Sequence, residues 1–163
     1  DIIAGIRAAT GPDFQLGLRL SPEKYEYPMA DSLQLAQDML TSGQLDYLDM
    51  SLWDSFKIPD DEPYHAAPLV DWFARLPRSG TRLGVAGKLF DARQAQDCLE
   101  RGVDFVLIGR GAILHHDYPR QVMANPDFVS RRFPVSRAYL EGESLGPAFV
   151  DYLATGWRNY VSD

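Results

Sequence analysis

Two short apolar runs, each ending in glycine and separated by one amphipathic stretch, constrain this chain most tightly. The first is Leu83-Gly84-Val85-Ala86-Gly87-Lys88 and the second is Phe105-Val106-Leu107-Ile108-Gly109-Arg110-Gly111. Apolar runs of this length read as strands, and a helix-length link between two strands calls for a parallel crossover. In a (β/α)8 barrel the last two strands end this way where their loops bind a phosphate. Glycine lets backbone N–H groups approach phosphate oxygens, and Arg110 adds a bidentate charged donor. The pattern points to a phosphate-bearing ligand at the mouth of a barrel.

The same alternation extends upstream. Residues 1–9 read as the tail of a helix stopped by Thr10-Gly11-Pro12. A strand is expected over Phe14–Leu20, where Leu16, Leu18 and Leu20 alternate with Gly17, Arg19 and Ser21. That alternation turns Arg19 away from the helix-facing leucines, into the barrel. A helix follows over 33–40, with Asp31 or Ser32 as N-cap and Gly43 as stop. A second strand covers Leu45–Leu52. The polar loop Trp53–His65, with Pro59 and Pro63, is long enough to be a substrate-facing loop. Pro68 opens a helix to Leu76, and Arg82–Gly87 is the third strand. Asp91 caps a helix through Glu100 that buries Ala92, Ala95, Cys98 and Leu99, and Phe105–Ile108 is the fourth strand. Repeated strand–helix units predict right-handed crossovers and an α/β fold with a parallel sheet and outer helices.

The chain has 163 residues, whereas a complete (β/α)8 barrel needs about 250. The opening Asp1-Ile2-Ile3-Ala4-Gly5-Ile6-Arg7 lacks the basic flank and long apolar core of a signal peptide and reads as mid-helix. The chain is therefore expected to be a fragment. Residues 1–130 are expected to form a half barrel with the phosphate-binding region. Residues 131–163 are expected to be a helical tail of the same domain, with Phe149, Tyr152, Leu153, Trp157 and Tyr160 on one or two packed helices.

Sixteen basic against twenty-three acidic residues give a net charge of −7, with no Lys/Arg-rich run, so neither nucleic acid nor an anionic membrane is an expected partner. Cys98 is the only cysteine, which excludes an intrachain disulfide and a thiolate metal site and fits a reducing, cytoplasmic setting. No His/Asp/Glu spacing suggests a bound metal.

Four motifs occur in one order: Gly17-Leu18-Arg19-Leu20-Ser21-Pro22-Glu23, the glycine-ended third strand, Ile108-Gly109-Arg110, and Ala124-Asn125-Pro126-Asp127-Phe128. Together they resemble the C-terminal half of the old yellow enzyme family, the FMN-dependent NADH:flavin oxidoreductases. The segment Asp46-Tyr47-Leu48-Asp49-Met50-Ser51-Leu52-Trp53-Asp54 also resembles the sixth strand of some bacterial members. The resemblance covers residues 1–128. It implies strands five to eight of a (β/α)8 TIM barrel, with Arg19 against the pyrimidine side of the flavin, where a cation stabilises negative charge on the reduced ring. It implies phosphate binding by Gly87 and Lys88 in one loop and by Gly109 and Arg110 in the next. Ala86 stands where the family often has glycine, and its N–H still serves a phosphate if its φ is negative. The family's substrate-activating His and Tyr residues lie in the half not present here, so no catalytic residue is assigned. The parent is expected to take hydride from NADH or NADPH onto FMN and pass it to a small electrophilic acceptor such as an activated alkene. The half barrel, with two open edge strands, is expected to pair with its missing half or with itself.

Each role has a plainer rival. Arg19 pairs with Asp49 in a polar barrel layer; Gly87 and Gly109 are turn residues; Arg110 makes a surface salt bridge. Asp49 and Ser51 point into the barrel, toward ligand or toward a structural hydrogen-bonded layer. Tyr64, His65, His115 and His116 have no carboxylate or nucleophile at a recognisable spacing. Two other functions remain open. One is a flavin-free phosphate-binding lyase or isomerase, for which Lys88 is the only lysine at a strand end. The other is a non-catalytic half barrel that binds phosphate compounds or a partner.

Overall fold

A computed structural model describes residues 2–23 and 27–162. The chain divides into two compact units. The first takes in residues up to Lys88 together with Gln96–Leu107; the second takes in Leu89–Ala95 together with Ile108 onwards.

The first unit is built on a four-stranded, all-parallel sheet whose spatial order follows the chain: β1 (Gly17–Leu20), β2 (Tyr47–Ser51), β3 (Arg82–Ala86) and β4 (Phe105–Val106). Its helices are α1 (Ile2–Thr10), α2 (Met29–Thr41), α3 (Leu69–Ala74) and the latter part of α4 (Ala92–Glu100). The expected helix over 1–9 is α1, Asp1 lying outside the described residues. On the inner strands, alternation sends Leu48, Met50, Leu83 and Val85 into full burial. Tyr47, Asp49 and Ser51 take the opposite face. There the Tyr47 ring covers β1 so closely that a Cβ at Gly17 would sit 2.0 Å from Tyr47 Cζ. Glycine at that position makes room for the ring, which meets Phe105 edge-on at 5.8 Å.

Four expectations are corrected here. The first strand is Gly17–Leu20, shorter than Phe14–Leu20, because side chains claim its lead-in: Leu16 N donates to Asp46 Oδ2 and Arg7 donates to Phe14 O. The fourth strand ends at Val106, where the chain leaves the ladder after Leu107 N donates to Val85 O. Helix α2 starts at Met29, with Pro28 rather than Asp31 or Ser32 at its N-cap. A distant carboxylate does the capping: Met29 N donates to Asp61 Oδ2 at 2.7 Å. Met29, Ala36 and Leu40, all fully buried, then anchor the inner stripe of the helix. On α4, Ala92 and Cys98 are buried but Leu99, one step round the helix, is exposed.

The second unit contains the start of α4, α5 (Arg110–Leu114), α6 (Tyr118–Ala124), α7 (Arg137–Gly142) and α8 (Pro147–Gly156). Its core is Leu114, Val135, Leu140, Val150 and Leu153. Val135 also bridges Val161 in parallel, with Val135 N donating to Tyr160 O and Ser162 N to Val135 O. On α8 the buried pair is Val150 and Leu153, whereas Phe149 and Tyr152 are exposed, as is Trp157 just beyond the helix. These aromatic rings pack on one another: Phe149 on Tyr152, Tyr152 against Trp157, Trp157 against Tyr160, and Tyr160 stacked on Phe133 at 4.2 Å. Among the described residues no helix is long and apolar enough to cross a membrane.

Capping of α2 from outside its own sequence gives a direct test. Asp61→Ala strands the buried Met29 amide and is expected to cost about 1 kcal/mol in denaturant unfolding, whereas Asp61→Asn, which keeps an acceptor oxygen, is expected to cost less. Equal losses for the two would refute the assignment.

Candidate functional site

In the first unit the carboxyl ends of β1, β2 and β3 gather the polar side chains. Arg19 lies in register with Asp49 across the β1–β2 ladder. Its Nη2 donates to Ser51 Oγ at 2.8 Å and its Nε stands 3.4 Å from Asp49 Oδ2. The side chain nevertheless remains 62% exposed, whereas that of Asp49 is 6% exposed. The plainer reading of Arg19, a pair with Asp49, therefore coexists with a largely open guanidinium. Asp49 Oδ1 is buried with no hydrogen-bond partner. Burial raises the Asp49 carboxyl above its ordinary range, and Arg19 only partly offsets this.

The end of β3 is tied to the turn that follows β2. Leu52 N donates to Ala86 O at 2.7 Å and Ser55 N to Gly87 O at 3.1 Å. A Cβ at Gly87 would lie 2.7 Å from Ser55 N, so close backbone approach by itself requires glycine there. Ala86 has negative φ, which keeps its N–H in ordinary strand geometry. Lys88 takes φ of +50°, and its Nζ is bound to Asp54 Oδ2 at 2.9 Å.

That turn carries an unusual residue. Trp53 has φ of +60°, and Asp54 N donates to Leu52 O at 2.6 Å, so Trp53 is the centre of a γ-turn with positive φ. A bulky residue in this conformation costs about 1–3 kcal/mol, and the Trp53 side chain recovers little by burial, because the residue is 72% exposed. Beside it is a cavity of about 340 Å³ lined by Ser21, Pro22, Glu23, Ser51, Leu52, Trp53, Lys57 and Asp60. Glu23, on the β1 side, also has positive φ, at +59°. Its carboxylate accepts from Lys57 Nζ and from Asp60 N, and Lys57 Nζ also donates to Asp60. Burial disfavours the charged lysine, but the bonds to Asp60 and Glu23 outweigh it and raise the Lys57 pKa.

In the second unit Gly109 is the N-cap of α5, and a Cβ added there would meet nothing within 4 Å. Arg110 follows, with its guanidinium 5.1 Å from the Phe90 ring centre. It is half-buried and, among the described residues, makes no ion pair or hydrogen bond, so the expected rival, a surface salt bridge, is not what holds it. Arg132 lies over the same ring at 4.7 Å and is anchored by Asp91 Oδ2 at 2.6 Å and Ser130 O at 2.7 Å. Burial works against ionisation of Asp91, but Arg132 and Ser130 N outweigh it and keep its carboxyl below the usual range. The carboxylate expected to cap α4 is thus committed to Arg132 and Ser130, and Gln94 Oε1 accepts from Phe90 N and Asp91 N. Tyr118 packs under Gly111 and against Phe128; its hydroxyl is buried without a partner, and burial lifts its pKa to about 12.

The histidines have structural partners. His115 Nε2 accepts from Arg131 N at 3.1 Å, and burial lowers the pKa of its ring. His116 Nδ1 lies 2.8 Å from Glu143. Tyr64 stacks edge-on with Trp72, and His65 reaches only Asp60 O at 3.4 Å. Cys98 is buried and its thiol is pushed up to about 11 by burial, so it is an inert core residue. Among the described residues no group of three or more His, Cys, Asp or Glu is placed to hold a metal.

Sequence reasoning did not find the Trp53 turn, the Glu23–Lys57–Asp60 cluster or the Phe90–Arg132 support of Arg110. The loop 53–65 carried one signal, its length. The partners of Arg110 carried none, being far apart in sequence.

Two stability measurements test this geometry. Asp49→Asn is expected to raise the melting temperature at pH 7. A carboxyl whose folded pKa is raised destabilises the fold when ionised, so the gain shrinks as pH falls through that raised value. A gain that grows on acidification would refute the account. Trp53→Gly is expected to be more stable than Trp53→Ala by about 1 kcal/mol, because both lose the ring and only alanine keeps the positive-φ strain; equal stability would show the turn to be unstrained.

No family model matches the chain. A relative from Vibrio harveyi, "NADH:acrylate oxidoreductase", is 29% identical over 121 residues, an alignment covering 68% of this chain and 12% of the relative. The chain therefore corresponds to a small part of the protein it is similar to.

Proposed function

We propose that this chain is the C-terminal half, strands five to eight, of a (β/α)8 barrel of the old yellow enzyme type, and that it serves the FMN of an NAD(P)H-dependent oxidoreductase. The observation that carries the reading is Arg110. It is a half-buried guanidinium with no carboxylate among the described residues, held on an aromatic face one residue beyond Gly109, the N-cap of α5, where a Cβ would meet nothing within 4 Å. Leaving such a group without a counter-ion favours an anionic ligand. The Vibrio harveyi relative supports the oxidoreductase class by its name, and the four parallel strands in chain order support the barrel.

Each unit, taken by itself, offers groups of the kind the cofactor needs. Gly109 and Arg110 offer a backbone approach and a charged fork to a phosphate. Ala86 and Gly87 contribute through the backbone, as does Lys88, whose ammonium is engaged by Asp54. Arg19 has one donor on Ser51 and most of its guanidinium open, so it serves the ring. Bound flavin would supply hydride storage and transfer; Arg19 orients the ring and places positive charge beside it, and Arg110 fixes the phosphate. The acceptor is proposed to be a small electrophilic alkene. β1 and β4 are the outer strands of the sheet, and their free edges are proposed to pair with the remaining half of a barrel or with a second copy.

FMN titration of the chain, followed by quenching of flavin fluorescence, tests the proposal. Arg110→Ala is expected to weaken binding about 10- to 100-fold, as loss of a charge-assisted pair does, and Arg19→Ala less. Binding unchanged by Arg110→Ala, or none at high micromolar FMN even with the complementary half supplied, would refute it. Equal binding of a simple phosphate ester, with no preference for the flavin, would favour a flavin-free phosphate enzyme.

A further inference from the structure

We propose that Asp91 is a specificity-determining residue of the anion site at Arg110. By neutralising Arg132, which shares the Phe90 ring with Arg110, it holds down the preference of the site for a doubly charged phosphate monoester over a singly charged phosphodiester. The inference rests on the reading of Arg110 as an anion-binding group and is independent of the flavin.

Phe90, Asp91, Arg110, Ser130 and Arg132 all belong to the second unit. The two guanidinium carbons lie 5.1 and 4.7 Å from one ring centre. They are therefore no farther apart than about 10 Å, the screening length at 0.1 M salt, and an anion held by one feels the charge of the other. Arg132 is also within reach of a ligand. Its side chain is 47% exposed, and its bonds to Asp91 Oδ2 and Ser130 O leave N–H donors unused. Among the described residues Arg110 has no carboxylate, whereas Arg132 has one. The neighbouring charges have other contacts: Arg93 pairs with Asp127, and Arg131 lies over the Tyr139 ring at 4.4 Å.

The other bonds at Asp91 need no charge. The capping of α4 that its position predicts falls to Gln94, whose Oε1 accepts from Phe90 N and Asp91 N. Asp91 Oδ1 accepts from Ser130 N at 2.9 Å, a bond that an amide oxygen makes as well. Only the contact of Oδ2 with Arg132, at 2.6 Å, calls for a carboxylate. That carboxylate cancels one of the two positive charges gathered on the ring. Coulomb energy is proportional to the ligand's charge, so the cancellation weakens a dianion twice as much, in free energy, as a monoanion. The result is a site that admits both classes of phosphate with a small difference between them.

Phosphorus NMR titration of the whole chain at pH 8 and low salt tests this, with phenyl phosphate as the dianion and methyl phenyl phosphate as the monoanion. Asp91→Asn, which keeps an acceptor for Ser130 N, is expected to tighten the dianion about tenfold and the monoanion about threefold. Arg132→Gln is expected to weaken both, the dianion more. The double variant Asp91→Asn/Arg132→Gln carries the wild-type net charge on the ring and is expected to bind both probes about as the wild type does. A pair that served only as a structural strut would instead weaken binding in all three variants. Weaker or unchanged dianion binding in folded Asp91→Asn, equal changes for the two probes, or no binding of phenyl phosphate at tens of millimolar would each overturn the proposal. Should Asp91→Asn not fold, equal losses of the two probes in Arg132→Gln would overturn it, and a larger loss of the dianion would sustain it. A chain that binds FMN with the same affinity in Asp91→Asn overturns this inference alone. One that shows these shifts with phenyl phosphate but does not bind FMN sustains it and removes the flavin reading.

Discussion

Strand β2 is hydrogen-bonded in parallel on both sides, to β1 and to β3, and the arrangement of the first unit follows from that. A parallel strand with two neighbours must be followed and preceded by crossovers, so helices alternate with strands. Its side chains must also divide between two faces. Leu48 and Met50 take the apolar face and are fully buried. Tyr47, Asp49 and Ser51 take the other, beneath the Tyr47–Phe105 contact at one end and beside Arg19 at the other. That second face is only half finished as a core: it has aromatic rings, a buried carboxylate oxygen without a donor, and an arginine largely in solvent. A surface with this mixture suits a ligand or another protein surface better than water.

The strand ends share one economy. Backbone carbonyls of Ala86 and Gly87, which would otherwise be free at the end of β3, hold the turn after β2. This binding lets Trp53 occupy a conformation that its side chain disfavours, and it is also what demands glycine at 87. The glycine that the sequence pattern assigns to a phosphate therefore has a structural reason of its own, independent of any ligand. Gly109 is different, since nothing stands where its Cβ would be. The two glycines look alike in sequence and are distinguished only by what lies above them.

The two candidate arginines, Arg19 on β1 and Arg110 at the start of α5, also differ. Arg19 is balanced by Asp49 and bonded to Ser51, and it is still mostly exposed. Arg110 is balanced by no acid; its position comes from the Phe90 ring, which Arg132 also covers while Asp91 neutralises Arg132. Two guanidiniums on one ring would repel were both uncompensated. Pairing one of them with Asp91 leaves the other as the group with charge to offer.

The amino-acid sequence by itself determined the alternation of strands and helices, the parallel sheet and the candidate residues near the strand ends. Those properties depend on local periodicity and on glycine and proline at the ends of elements, which neighbouring residues specify. Only the tertiary structure decided where α2 begins, because its first buried amide is satisfied by Asp61, thirty-two residues away. It also decided that Val150 and Leu153 rather than the aromatic residues form the buried side of α8. Most of the site belonged to the same category. The strain at Trp53 comes from carbonyls of β3, the clamp on Lys57 from a carboxylate at the end of β1, and the freedom of Arg110 from Phe90, Asp91 and Arg132. Hydrogen bonds and charge balance are set by proximity in space, and residues distant along the chain carry no periodic signal of that proximity.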